Sequence, residues 1–170
     1  MPKPEILRVN DGFEDEWPGS QALATEVVLN LVRLGEALAA RVDATVRGFG
    51  LPSATSLIVL EVLRGEGGPL QPSVVADRCF LSRPALTSVL DTLERRGLIS
   101  RSAHPGDRRG SLVEITGTGA AVMRRLLPEL HRAEVAWTDV LSDRQKDLLL
   151  RQLGVLQEHL RKDQPPGRAR

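Results

Sequence analysis

Between residues 20 and 46 apolar side chains recur at Leu23, Val27, Leu31, Leu34, Leu38 and Val42, the spacing of one helix face, and Val28, Val32 and Ala39 add a second stripe. A helix apolar on two sides packs on two sides. A second helix is predicted from Leu51-Pro52-Ser53; it turns Leu57, Leu60 and Leu63 inward and stops at Gly65-Glu66-Gly67-Gly68. Pro72 suits the first turn of a short third helix reaching about Cys79, because an N–H at that position has no helical partner to lose. Ser82 reads as the N-cap of a fourth helix with Leu86, Val89, Leu90 and Leu93 on one face, and Gly97 as its left-handed stop. Two β-type runs follow, 98–103 and 111–116, joined by the turn 104–110. Thr116-Gly117-Thr118-Gly119 opens a fifth helix through Met123, Leu126, Leu127, Leu130 and Trp137, which Pro128 is expected to bend or break. Ser142-Asp143-Arg144-Gln145 is a capping-box pattern ahead of a last helix carrying Leu149, Leu153, Leu156 and Leu160.

The pattern divides the chain into an acidic, poorly structured start (1–19), a dimerisation helix (20–50), a helical head with a β-hairpin (51–118), two C-terminal dimerisation helices (119–162) and a disordered tail (163–170). The fold class is mainly α with a small β-wing. A helix running into a two-stranded hairpin with arginines at its tip is the winged helix-turn-helix arrangement, in which the helix enters the DNA major groove and the tip lies over the minor groove.

Composition narrows the function classes. A length of 170 residues allows one domain with a dimerisation appendage. No run of about 18 uncharged apolar residues is present, and the N-terminus lacks the apolar centre of a signal peptide, so a cytoplasmic protein with no membrane partner is expected. The single cysteine, Cys79, leaves no internal disulfide and no cysteine-built metal site. Its place in Val75-Ala76-Asp77-Arg78-Cys79 favours core packing over a redox role. His104, His131 and His159 do not pair at i,i+4, so no metal and no cofactor are expected. An enzyme is not expected either, because there is no nucleophile motif, and the glycines at 65–68 lack the Lys-Ser/Thr of a phosphate loop. The net charge of +1 conceals an asymmetry. Between Ser82 and Arg109 six arginines (83, 95, 96, 101, 108, 109) face Asp91, Glu94 and Asp107, whereas residues 1–20 carry five acids and two bases. One basic face suits phosphate contact. It also suits a solvated surface, and Arg95 and Arg96 serve equally as helix-end charges. With 3% aromatic residues and no tyrosine, stacking on single-stranded bases is a poor alternative.

Leu57-x-x-Leu60, Leu81-Ser82, Leu93-Glu94-Arg95-Arg96-Gly97-Leu98-Ile99 and Asp107-Arg108-Arg109 through Val113-x-Ile115-Thr116 with Gly119 resemble the MarR family of bacterial transcriptional regulators over about residues 20–162. The resemblance implies a homodimer held by the long first helix and the last two helices. It implies recognition of double-stranded DNA bearing an inverted-repeat operator, with Ser82, Arg83, Pro84, Thr87 and Ser88 facing the major groove. Arg109 would probe the minor groove, steadied by an ion pair with Asp107, and Arg108 would lie near phosphate. It further implies a repressor released by a small aromatic or anionic effector, in a pocket lined by Leu31, Leu34, Leu38, Leu57, Leu60, Met123 and Leu127. Three positions depart from the family pattern: Phe80 stands in a turn where glycine is frequent, Pro84 removes a backbone donor, and Ser88 replaces a longer basic side chain. The alternative reading is a winged-helix module for protein association or scaffolding without specific DNA binding.

Overall fold

The computed structural model describes residues 5–162, with the backbone alone described at Asp107, Arg108 and Arg109. It forms two compact units that divide between Leu127 and Pro128. The first holds α1 (Phe13–Glu16), α2 (Ala22–Arg47), α3 (Ala54–Glu66), α4 (Pro72–Arg78), α5 (Arg83–Arg95), β1 (Ile99–His104), β2 (Asp107–Ile115) and the start of α6 (Gly117–Thr138). The second holds the rest of α6 and α7 (Asp143–Lys162).

The core of the first unit is aliphatic. Val59, Leu60 and Leu63 from α3, Val75 from α4, Leu86, Leu90 and Leu93 from α5, and Val113 from β2 are all no more than 2% exposed. Each such side chain contributes about 1.5–3 kcal/mol by leaving water, so these helices are held by burial more than by local propensity. Caps define their ends. Ser53 Oγ accepts from Ser56 N, and Asp43 of α2 accepts from Ala54 N, so two of the orphan donors of α3 are satisfied. Gly67 closes α3 in the left-handed region. Ser82 Oγ accepts from Ala85 N at the start of α5.

The wing is an antiparallel pair running from Ile99↔Ile115 to Ala103↔Ser111, followed by His104↔Asp107. β1 is shifted one residue from the expected run, while β2 starts four residues earlier than expected and ends one earlier. Asp107, Arg108, Arg109 and Gly110 belong to β2, and the turn shrinks to Pro105-Gly106. The register slips between Ala103 and His104, so Arg108, Arg109 and Gly110 occupy a bulge with no opposite residue on β1. Their turn-like chemistry hid this, because cross-strand pairing leaves no local trace. Leu70, in the α3–α4 connection, exchanges both backbone hydrogen bonds with Val113 (2.9 and 2.8 Å) and stitches the wing to the head.

The base of the wing is locked by Thr116. Its N–H donates to Leu98 O (3.0 Å), its hydroxyl donates to Gly97 O (2.7 Å), and its Oγ1 accepts from Gly119 N (3.0 Å). Gly119, in the first turn of α6, therefore lies in direct contact with the Leu98 backbone.

The N-terminal segment, expected to be poorly structured, is organised from residue 5 onward. Leu7 N donates to Asn30 Oδ1 while Asn30 Nδ2 donates to Leu7 O, both at 3.0 Å. Arg8 and the Val9 amide both donate to the carboxylate of Glu26, which is 9% exposed. Glu14 accepts from Ala22 N at 2.8 Å and supplies the cap that Gln21 does not give α2. One acid of this segment, Glu14, thus binds a backbone donor, as does Glu26 of α2. Residues 1–4 and the expected tail at 163–170 lie outside the described residues.

In α6 the helix continues through Pro128, so the expected break is absent; the proline costs one ladder donor without ending the helix. In the second unit Ser142 N donates to Gln145 Oε1 (2.9 Å), the returning half of a capping box. No residue of α7 is buried, and Leu148, Leu149, Leu150, Val155, Leu156 and Leu160 remain 39–67% exposed. On α2 Leu23, Val28, Val32 and Leu34 are similarly bare, at 53–69%.

Candidate nucleic-acid interface

Helix α5 is two-faced. Leu86, Leu90 and Leu93 fix it to the core, which leaves Ser82, Arg83, Pro84, Thr87 and Ser88 exposed together on its N-terminal half. Pro84 sits in the first turn, where no helical partner is lost. Thr87 Oγ1 donates to Arg83 O (2.9 Å), so its lone pairs face outward as acceptors suited to the amino groups of adenine or cytosine. The sequence-predicted reading face is thus assembled as one surface.

The arginines divide by role. Arg101 of β1 spans to α5, with Nη2 2.6 Å from Asp91 Oδ1 and Nη1 3.5 Å from Glu94 Oε2. Partly exposed pairs of this kind contribute at most about 1 kcal/mol each; their consequence is geometric, since they tie the wing strand to the helix beside it. Arg96 donates to Gly50 O and links the end of α5 to the α2–α3 connection, and Arg95 donates to Thr92 Oγ1 (3.1 Å) on its own helix. Both arginines are engaged within the fold. Arg83 stays exposed on the same N-terminal face of α5. The side chains of Asp107, Arg108 and Arg109 lie outside the described residues, so the expected ion pair between Asp107 and Arg109 does too. His104 Nδ1 accepts from Gly106 N (3.1 Å) and shapes the tip.

Cys79, expected in the core, is half-buried at the C-cap of α4. The helix ends one residue before it, at Arg78. Burial still pushes its thiol above the ordinary value, which favours the unreactive protonated form.

The residues expected to line an effector pocket separate into two environments. Leu57, Leu60 and Met123 are packed in the core at 0–6% exposure, and Leu127 is half-buried. Leu31, Leu34 and Leu38 lie on the surface of α2 at 37–54%. Apolarity alone does not distinguish these settings. A cavity of about 320 Å³ lies elsewhere, between the N-terminal arm and α2, lined by Val9, Asp11, Phe13, Glu14 and Glu26 among others. Sequence reasoning missed it, although the i,i+4 pair Glu26 and Asn30 interrupts the apolar run at the start of α2. The Arg8 hydrogen bond, joined by the Val9 amide, outweighs the opposing effect of burial and holds the Glu26 carboxyl below its ordinary range. Among the described residues no cluster of His, Cys, Asp or Glu suits a metal ion, and no helix is long and apolar enough to cross a membrane.

A model of the MarR family matches residues 49–110, the span from the end of α2 through the wing tip. The HTH-type transcriptional regulator MhqR of Bacillus subtilis is 33% identical over 106 residues, covering 59% of this chain and 71% of that protein. The HTH-type transcriptional repressor YetL of the same organism is 28% identical over 146 residues, 86% and 87% of the two chains. Among solved structures, NadR in complex with 4-hydroxyphenylacetate superposes with a TM-score of 0.64 at 25% identity, over 81% of this chain and 94% of that one.

Proposed function

Since the chain belongs to the MarR family of winged-helix transcriptional regulators, we propose that it is a dimeric, sequence-specific double-stranded-DNA-binding repressor released by a small-molecule effector. The observation that carries this reading is the exposed N-terminal face of α5, with Ser82, Arg83, Thr87 and Ser88 side by side and a wing tied to the same helix through Arg101. Short hydroxyls and a guanidinium are suited to base edges and phosphates, and Arg108 and Arg109 in the wing bulge extend the contact to the backbone and the minor groove.

Dimerisation accounts for the bare apolar faces of α2 and α7. A monomer would leave Leu23, Val28, Leu150, Val155 and Leu160 more than half exposed; a second copy covers them by two-fold symmetry, and the operator is then an inverted repeat. The effector, a small aromatic or anionic molecule of the kind bound by NadR, would bind against Leu31, Leu34 and Leu38, the accessible part of the expected pocket, since Leu57, Leu60 and Met123 are committed to the core. The protein would act in the cytoplasm, without catalysis of its own.

A binding-site selection at two salt concentrations tests the reading. A palindrome with half-site centres about one helical turn apart is expected. Selection of no palindrome by the wild type would replace the regulator with a scaffold.

A further inference from the structure

The turn between α4 and α5 has an unusual occupant. After the C-cap Cys79, Phe80 adopts φ +53°, its amide donating to Asp77 O (3.3 Å) and that of Leu81 to Ala76 O (2.9 Å). This is the Schellman closure, whose left-handed position normally belongs to glycine. The same chain shows the normal solution at the end of α5. Gly97 at φ +69° donates to Glu94 O (2.8 Å) and Leu98 to Leu93 O (3.0 Å), the identical pairing. The other left-handed positions among the described residues, 19, 50, 67 and 97, are all glycine. A bulky aromatic residue is a real outlier in this region, and such outliers persist where function retains them.

Burial accounts for only part of the exception. Phe80 remains 36% exposed, while its neighbours Cys79 and Leu81 are half-buried. Phe80 is thus a partly exposed aromatic residue two residues ahead of Ser82, the N-cap of the helix that carries the reading face. Apolar side chains at that end of a major-groove helix read one feature, the C5-methyl of thymine. We infer that Phe80 is a specificity-determining residue whose ring packs on a thymine methyl at the edge of each half-site. The inference rests on the reading of α5 as the groove-reading helix. It adds a contact that hydroxyls and arginines do not supply, and one that is insensitive to salt.

The test is a cycle between Phe80→Gly and deoxyuridine substitution, which deletes the methyl and leaves base pairing intact. On the selected operator, wild type should lose about fourfold in affinity for each contacted thymine replaced by uracil, the worth of one buried methyl group. Phe80→Gly should bind the thymine and uracil sites equally, keep the wild-type salt slope, and melt no lower than wild type. Phe80→Asn, which also tolerates the left-handed region, should repeat the result if glycine loosens the turn. Thymine preference retained in both variants would overturn the inference. So would a uniform loss on all DNA, which would place the ring on sugar and phosphate. If wild type selects no operator, the regulator reading falls as well; if it selects one and the cycle shows no coupling, the Phe80 inference alone falls.

Discussion

A β-carbon added at Gly119 would press into the carbonyl oxygen of Leu98 and lie 2.9 Å from Ile115 Cγ1 and 3.1 Å from the Leu98 carbonyl carbon. Two of these neighbours are backbone atoms, so no rotamer change relieves the contact. Gly119→Ala must push the first turn of α6 away from the base of the wing. Overpacking of this kind costs about 1–3 kcal/mol. Displacing the Thr116 hydroxyl from the Gly119 amide (3.0 Å) adds about 1 kcal/mol, and the better helix propensity of alanine returns up to about 1. The net expectation is about 1–3 kcal/mol of destabilisation, a urea midpoint lowered by roughly 0.5–1.5 M at an m-value of about 2 kcal/mol/M. Gly117→Ala is the matched control, because a β-carbon there meets nothing within 4 Å; it should be neutral or stabilising by a few tenths of a kcal/mol. Both are measured by urea denaturation at one fixed protein concentration, since a dimer's apparent stability varies with concentration. Equal midpoints for Gly119→Ala and Gly117→Ala would refute the close approach and the account of how α6 anchors the wing.

Arg109→Ala should weaken operator binding by about 1–3 kcal/mol with a shallower salt dependence, read by fluorescence anisotropy at two ionic strengths; unchanged affinity would remove the wing from the minor groove. Arg101→Ala should lower stability by no more than about 2 kcal/mol yet reduce operator affinity, because the wing loses its tie to Asp91 and Glu94; equal affinity would show that the tie does not orient the wing. The Glu26 carboxyl is depressed in the folded state, so its contribution is present above the ordinary value of 4.5 and is lost as pH falls through the lower folded value. Hydrogen-exchange protection of the Val9 amide should disappear in that acidic window and be absent at neutral pH in Glu26→Gln; protection unchanged in both would sever Val9 from Glu26. Cys79 should react with a maleimide more slowly than a model thiol at pH 8, and mild peroxide should leave operator affinity unchanged; reversible loss of binding would establish a redox role.

The helices were legible because their burial is periodic: Leu57, Leu60 and Leu63, and Leu86, Leu90 and Leu93, announce both helix and inward face. Ser53, Ser82, Gly67 and Gly97 mark ends through local chemistry that needs no tertiary partner. What escaped was long-range. The bulge opposite the Ala103–His104 step depends on pairing across two strands. The tie from Arg8 to Glu26 joins residues 18 apart in sequence, and α1 is too short for any periodicity. The pocket lining was only partly informative, because Leu34 and Leu60 look alike as letters and differ entirely in exposure. Phe80 was visible as an oddity, but its left-handed backbone was not.

The slipped register at the wing tip separates two jobs that a plain hairpin would merge. Below it, the pairs from Ile99↔Ile115 to Ala103↔Ser111 and the stitch from Leu70 to Val113 hold the strands regardless of what lies above. Arg108, Arg109 and Gly110 sit where no opposite residue constrains their identity or number. Such a tip is an interchangeable bit in a fixed socket: residues can be exchanged, added or removed there without refolding the sheet. A grafted tip should therefore be accepted at positions 108–110 and rejected one pair lower.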